Sequence, residues 1–312
     1  MPWRARAIWP TLRAMDELLR GINDGQNTRV VGAVTTDLVA EACRRHGLSG
    51  LEAVVLGRAL TAGCLLATLT KNDDERVRID ARGSKRVQQI LIDAHSDGKV
   101  RGLLTTRTWP IAEPDDAEEA FRTRVAHIVG DGRIVVTRDI GLEKEYQGVV
   151  ALDVGEIDED LERYLTNSEQ LPSVLACEVE LDAHGQVARA AGLLCQTFPG
   201  TSAAVLEPLR SFVRDGGLAD LLRHDRTVEE VVGFALLGEA YQPMERRALQ
   251  FFCPCGRERA LSVVSTLGAT DVEKLASEQE ETGVTCHYCG DETILTSADL
   301  RELAAKMRSE MS

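Results

Sequence analysis

Four of the eight cysteines are grouped in the C-terminal fifth of the chain. Cys253 and Cys255 are one residue apart in "FFCPCGRERA", and Cys286 and Cys289 are two residues apart in "TCHYCGD". Two such pairs about thirty residues apart have the spacing of a tetrahedral site with four thiolate ligands, in which Zn–S bonds are about 2.3 Å. In a reducing cytosol, clustered cysteines indicate metal or redox chemistry before structural disulfides. We therefore predict that these four cysteines bind one zinc ion.

Such a site can be purely structural or can act as a switch. Closed sites with four thiolates are usually structural, and His287 is expected to be a spectator because the cysteines already fill the site. Arg257 and Arg259 follow the first pair, and nearby cations favour the charged, oxidisable thiolate. A domain of about 60 residues has only about 3–9 kcal/mol of its own stability, whereas structural zinc supplies roughly 10–16 kcal/mol. Loss of the metal should therefore unfold the domain, but spacing alone leaves both interpretations open.

The elements that must position these cysteines fall into three regions. Residues 15–199 mix strand and helix patterns and predict an α+β domain with a mixed sheet. Residues 200–252 predict a helical linker, and residues 253–312 a small zinc-binding domain that ends in a charged helix. Residues 1–14 are interpreted as an extension upstream of a candidate start at Met15.

Helix and strand patterns are clearest in the first two regions. We predict capping boxes at Ser49 with Glu52, before a long apolar helix over about 51–70, and at Thr227 with Glu230, at the start of a linker helix. Helices as short as those of the linker are not stable alone and must dock on the rest of the chain. Predicted strands are "QQILIDA", "VRGLLTT", "GRIVVTRD", "GVVALD", "SVLACEVEL" and "VARAAGLLCQTF".

Two further groups of residues are expected to be structural. Single cysteines in apolar patterns behave as small core residues; these are Cys43, Cys64, Cys177 and Cys195. A polar group without a nucleophile–base pair is expected to organise turns and helix ends of the first region; it comprises Tyr146, Gln147, Ser168, Glu169 and Gln170.

Composition narrows the class of protein. The chain has 312 residues, 44% hydrophobic and 28% charged, with a formal net charge of −14. This charge argues against general affinity for nucleic acid or an anionic membrane. The most apolar uncharged stretch, residues 59–70, is shorter than the roughly 20 residues of a membrane span, and the N-terminus lacks the apolar core of a signal peptide. We predict a cytosolic protein.

Several segments together resemble the bacterial heat-shock protein 33 family of redox-regulated holdase chaperones. They are "LLATLTK", "KVRGLL", "YQGVVAL", "YLTNSEQLPS" and the C-x-C and C-x-x-C pairs, and the resemblance covers about residues 15–312. Ala191 and Cys195 depart from the family pattern, which usually has glycine and an aliphatic residue there. The four clustered cysteines follow it.

The resemblance implies a function and a mechanism. The reduced protein would hold one zinc ion through the four clustered cysteines. Oxidation would form the disulfides Cys253–Cys255 and Cys286–Cys289, release the metal and unfold the C-terminal domain. The linker would then lose its docking partner, and the bared apolar surface would bind unfolding client proteins without ATP, as a homodimer and not as an enzyme. We expect Cys286–Cys289 to close first, because the C-x-C disulfide forms the smaller, more strained ring.

Two other functions compete with this one. A zinc-ribbon nucleic-acid-binding protein would need a basic face, but residues 253–312 carry six Lys and Arg against eleven Asp and Glu. A thiol–disulfide oxidoreductase would place its C-x-x-C at a helix N-terminus in a βαβ setting, which the sequence does not indicate.

Overall fold

The computed structural model describes residues 16–25, 27–69, 75–109, 121–139 and 145–310. The predicted extension 1–14 and the candidate start Met15 lie outside these residues. The strands are β1 Glu17–Asn23, β2 Thr28–Val34, β3 Arg76–Gly83, β4 Val87–His95, β5 Lys99–Thr106, β6 Gly132–Asp139, β7 Tyr146–Leu152, β8 Ser173–Leu181, β9 Val187–Thr197, β10 Tyr241–Ala248, β11 Gln250–Phe251, β12 Glu281–Thr285 and β13 Glu292–Thr296. The helices are α1 Thr36–His46, α2 Gly50–Ala67, α3 Phe121–Val129, α4 Ile157–Ser168, α5 Glu207–Arg214, α6 Gly217–Leu221, α7 Val228–Ala235, α8 Arg257–Ser265, α9 Ala269–Glu278 and α10 Ser297–Glu310, with a 3₁₀ turn at Ala203–Leu206.

Two sheets are built by the strands up to β11. The first sheet has the order β10-β1-β2-β9-β8, and the second has the order β11-β5-β4-β3-β6-β7. Neighbouring strands are antiparallel except for β11, which runs parallel to β5. The strands come in runs, so the predicted α+β class with a mixed sheet is confirmed.

Helix α2 lies in the core and contacts strands of both sheets. Its residues from Ala53 to Ala67 are buried on all sides, as expected of a helix without a polar face. By length and hydropathy it could span a membrane, but 83% of it is buried inside the fold. Arg58, the charged residue in the middle of α2, is fully buried and pairs with Glu156 and Glu178. These ion pairs allow the helix to be buried despite its charged side chain.

The first sheet is apolar on both faces. Alternate residues point to opposite sides of a strand, so Val31 of β2 joins the main core around α2, whereas Val30 lies under the linker helices. The face under the linker carries Leu19, Val30, Val34, Val174, Ala176, Ala191, Leu193 and Cys195. It is covered by Leu206, Leu209, Val213, Leu218, Leu222, Val228, Val231, Val232, Ala235 and Leu236. The linker helices therefore dock on a sheet, as their short length required.

Two local predictions were wrong and one was confirmed. Ser49 makes no side-chain cap to α2, and Glu52, the other half of the predicted box, pairs with Arg86 instead. The capping box at Thr227 with Glu230 is present at the start of α7. The linker is not wholly helical, since its last part forms β10 and β11. The polar sequence "YQPMERRA" lacks strand alternation, and β10 forms because β1 offers it a partner.

The C-terminal segment has its own small core. Helices α8, α9 and α10 pack with the β12–β13 hairpin around Ala260, Val264, Val272, Ala276, Leu295, Leu300 and Ala304. Three of these seven side chains are alanines, so the core that these described residues form is small and contains no buried aromatic residue.

Candidate metal centre

The four clustered cysteines meet in space although their pairs are distant in the chain. Cys253 and Cys255 follow directly after β11, and Cys286 and Cys289 lie in the turn between β12 and β13. Their four Sγ atoms all lie within 4.8 Å of one another. The Sγ atoms of Cys253 and Cys286 are 3.6 Å apart, and those of Cys255 and Cys289 are 3.2 Å apart. The structure therefore brings together all four predicted ligands.

The donor set fits a metal ion. Bonds of about 2.3 Å in a tetrahedron place sulfurs about 3.8 Å apart, close to the observed separations. Among the described residues, the cluster consists of cysteines alone and His287 is not part of it. Four soft sulfur donors suit zinc better than magnesium or calcium. The shortest sulfur distances join one cysteine from each pair, so the expected disulfides within each pair stay a prediction.

The C-x-x-C turn is shaped by its backbone. The Cys286 N–H donates to the Asp291 carbonyl at 2.8 Å, and the Gly290 N–H donates to the Cys286 carbonyl at 2.9 Å. Gly290 adopts a φ of 72°, which favours glycine. Burial acts to raise the pKa of the Cys286 thiol, but hydrogen bonds from the N–H groups of Tyr288 and Cys289 and from the Cys289 and Cys253 side chains together hold the pKa below its usual value. The turn therefore favours a thiolate at Cys286.

A cation that the sequence did not indicate lies at the site. Arg101 of β5 places Nη1 3.6 Å from the Cys253 Sγ, and Arg257 pairs with Asp299. The influence of Arg257 and Arg259 on the thiolates stays a prediction. Arg101 is 152 residues from Cys253 in sequence, and "KVRGLL" gives no signal of this contact.

Arg101 belongs to a network that holds the cysteine turn against the second sheet. Asp93 of β4 is fully buried and accepts hydrogen bonds from Arg101 (2.8 Å) and Arg78 (2.7 Å). Burial acts to raise the pKa of Asp93, but these two arginines lower it to about 2. Fixed in this way, the Arg101 guanidinium lies 3.9 Å from the centre of the Tyr288 ring, within cation–π distance.

A second group of contacts comes from the end of α1. His46 Nε2 lies 2.9 Å from the Tyr288 carbonyl and 3.1 Å from the Gly102 carbonyl. Arg45 pairs with Asp291 at 2.6 Å and lies over the Phe251 ring. These contacts join the cysteine turn to the first region of the chain, and they were missed because each residue sits in an ordinary amphipathic pattern.

The residues expected to be structural behave so in the fold. Cys43, Cys64, Cys177 and Cys195 are buried, and burial raises the pKa of Cys43 and of Cys195 to about 12. In the polar group, Glu169 accepts a hydrogen bond from Tyr164 and pairs with Arg138. Ser168 ends α4, Tyr146 and Gln147 belong to β7, and Gln170 has a φ of 56°. The prediction of turn and helix-end positions agrees with Ser168, Glu169 and Gln170, whereas Tyr146 and Gln147 lie in a strand.

Comparison with known proteins places the chain among chaperones. The family model described as "Hsp33 protein" matches residues 16–295. A protein named "33 kDa chaperonin" from Symbiobacterium thermophilum is 39% identical, covering 88% of this chain and 92% of its own. One of the same name from Geobacter sulfurreducens is 34% identical, covering 92% and 94%. The crystal structure of the 33 kDa chaperonin (heat shock protein 33 homolog) from Thermotoga maritima is 26% identical and has a TM-score of 0.81, covering 95% of this chain and 99% of that one.

Proposed function

Because the chain belongs to the Hsp33 family of chaperones, we propose that it is a redox-regulated holdase that binds unfolding proteins without ATP. The observation that carries this proposal is the position of the four-cysteine cluster. It follows directly after β11, at the end of the linker that covers an apolar sheet face. A change at the cluster can therefore reach the apolar face through a short stretch of chain.

In the reduced state Cys253, Cys255, Cys286 and Cys289 would hold one zinc ion, which when bound stabilises the C-terminal domain (residues 253–312). The small core of that domain supports this assignment. Structural zinc supplies roughly 10–16 kcal/mol, more than the roughly 3–9 kcal/mol expected of a domain of this size. The domain would therefore unfold when its thiolates are lost.

Oxidation would form the disulfides Cys286–Cys289 and Cys253–Cys255. For each disulfide, two thiolates lose two electrons to one peroxide, the O–O bond breaks, and two waters form after uptake of two protons. The Cys286–Cys289 disulfide is expected to close first, because the C-x-C disulfide forms the smaller, more strained ring. The sulfurs of each disulfide could no longer act as thiolate ligands, so the four residues would no longer hold a metal ion.

Unfolding of the C-terminal domain would then release the linker (residues 200–252) from the N-terminal domain (residues 15–199). The Phe252 N–H donates to the Val100 carbonyl at 2.9 Å, and the Gln250 N–H donates to the Gly98 carbonyl at 3.1 Å. These bonds lie directly beside Cys253. Their loss would free β10 and the linker helices and bare the apolar face that α7 covers in the resting state.

The released face would bind unfolding client proteins in the cytoplasm, with the active form a homodimer. The proposal includes no enzymatic reaction and no nucleic-acid or membrane partner. A catalytic C-x-x-C is not favoured, since Cys286 and Cys289 lie in a hairpin turn and not at the helix N-terminus typical of oxidoreductases.

The test measures zinc, thiols and chaperone activity together. Zinc and free thiols are counted before and after peroxide at raised temperature, while light scattering follows aggregation of unfolding luciferase. We expect about one zinc per chain, lost together with four thiols, and suppression of aggregation only afterwards. Cys286→Ser should abolish the switch, whereas Cys177→Ser, a buried control thiol outside the cluster, should preserve it. Zinc retained after full oxidation, or full activity of the reduced form, would exclude the mechanism.

A further inference from the structure

The linker covers an edge of the first sheet as well as its face. Strand β10 pairs antiparallel with β1 along its whole length, from Glu17 opposite Ala248 to Asn23 opposite Tyr241. The Leu249 N–H donates to the Asp16 carbonyl, and the Asp24 N–H donates to the Ala240 carbonyl. Because facing residues alternate in an antiparallel pair, the backbone groups of Leu18, Arg20 and Ile22 also point at β10.

Most of the features that protect this edge from further strands lie on β10. Proline, charged side chains and bulges are the usual means by which proteins block an edge. Strand β10 contains Pro243 and the charged run Glu245–Arg247, and its register shifts opposite Arg20 and Gly21. Strand β1, "ELLRGIN", has no proline; its charges are Glu17 and Arg20, and it carries the apolar residues Leu18, Leu19 and Ile22. Release of β10 would therefore open an edge with fewer of these protections.

Strand β10 is also held in a way that permits exchange. Of its side chains, only those of Tyr241, Glu245 and Arg247 are partly buried, and Met244 is 57% exposed. Arg20 pairs with Glu245 at 3.3 Å and Glu17 with Arg246 at 3.0 Å, and exposed ion pairs of this kind contribute little. The backbone ladder therefore carries most of the attachment, and any extended chain can supply such a ladder.

Resting on the proposed function, we propose that the β1 edge is a client-binding site that takes an extended segment of an unfolded protein as an added antiparallel strand. Backbone hydrogen bonds would accept many sequences. A segment with an apolar residue opposite Leu19, where β10 places Arg246, would gain a contact continuous with the apolar face beside it. An unfolded chain with alternating apolar residues is therefore the partner that fits.

Hydrogen exchange of the wild-type protein tests the site directly. Amides of Leu18, Arg20 and Ile22 should be protected in the reduced protein, exchange after oxidation, and regain protection when unfolded luciferase is added. Amides of β3, inside the second sheet between β4 and β6, are the control and should be unaffected by client. Exchange at β1 that stays fast with client bound would overturn the inference. So would protection that develops without client and rises with chain concentration, because the occupant would then be a second copy.

Two variants at one cross-strand pair distinguish the effect of releasing β10 from the effect of blocking the β1 edge. Glu245→Pro removes a donor from β10 only, whereas Arg20→Pro, at the residue opposite, removes one from β1. Both should free the linker, measured as equal protease cleavage between residues 238 and 252. In the reduced state, Glu245→Pro should suppress client aggregation. Arg20→Pro should suppress it at least about fivefold less, since proline cannot donate a hydrogen bond to an added strand.

Equal suppression by the two variants at equal linker release would overturn the edge site while leaving the holdase function intact. Inactivity of both Glu245→Pro and the oxidised wild type would refute the proposed function itself. If Arg20→Pro does not fold, the exchange experiment on the wild-type protein still decides.

Discussion

Replacing Arg101 by glutamine should release the cysteine turn from the second sheet and accelerate loss of zinc. The side chain is 7% exposed, and its guanidinium contacts both the Tyr288 ring at 3.9 Å and the Cys253 Sγ at 3.6 Å. Glutamine keeps a polar side chain but cannot supply the cation to either contact. Asp93 stays paired with Arg78, so the buried carboxylate is not abandoned.

The expected loss of docking free energy follows from the two interactions that need the guanidinium. A cation–π contact contributes about 0.5–2 kcal/mol, and a hydrogen bond with a charged partner about 1.5–3 kcal/mol. Allowing for their shared geometry, we expect docking of the turn to weaken by about 2–4 kcal/mol. At 1.4 kcal/mol per tenfold change, the undocked population rises roughly 30- to 700-fold.

The assay follows zinc release with a metallochromic dye at fixed peroxide and temperature, and hydrogen exchange of residues 286–291 in the reduced protein. Arg101→Gln should release zinc at least about tenfold faster and exchange faster before oxidation. Arg78→Gln is the matched control, since Arg78 also binds Asp93 but reaches Tyr288 only at its hydroxyl, at 3.4 Å. It should change the release rate less than about threefold. If Arg101→Gln released zinc at the wild-type rate, or if both variants changed the rate equally, the reasoning would be refuted.

Three more predictions concern the linker and the metal. A Cβ on Gly21 would lie 2.9 Å from both the Gln242 carbonyl oxygen and the Tyr241 ring, so Gly21→Ala should loosen β10 and speed proteolysis of the linker in the reduced protein. Thr227→Ala removes the cap of α7 and should destabilise it by about 1 kcal/mol; peroxide activation should then need a lower temperature, and an unchanged threshold would contradict this. Chelation of zinc should melt residues 253–310 while the β3–β6 amides keep their protection, as hydrogen exchange can show.

Local chemistry explains why the sequence identified the cysteines and missed their surroundings. Four thiols at metal-binding spacing determine their own chemistry, and the predicted grouping of Cys253 with Cys286 needed no knowledge of the fold. The contact of Arg101 with Cys253 depends on how β5 lies against the cysteine turn, which no local pattern encodes. Arg257 was favoured because it is adjacent in sequence, but Asp299 offers it a carboxylate.

The same distinction between local patterns and tertiary contacts holds for the strands and helices. Strands with apolar, β-branched sequences, such as β6 and β8, were predicted with their observed bounds, because burial of their side chains determines them locally. Strand β10 was missed because its polar sequence has no strand preference and only pairing with β1 makes it one. The predicted capping box at Ser49 is absent, and Glu52 pairs with Arg86 instead. Tertiary contacts override a local signal where a charged group can reach a partner.

The pairing of the first strand with one near the end of the linker also sets an order of events during synthesis. Glu17 and Arg246, which form an ion pair across this ladder, are 229 residues apart, and closing such a long loop is slow. As the chain leaves the ribosome, β1, β2, β8 and β9 can assemble before β10 exists, since domains fold as units from the N-terminus. The β1 edge and the apolar face beside it are therefore exposed until the linker and β10 have been synthesised. The form in which the linker covers them is the last to be made.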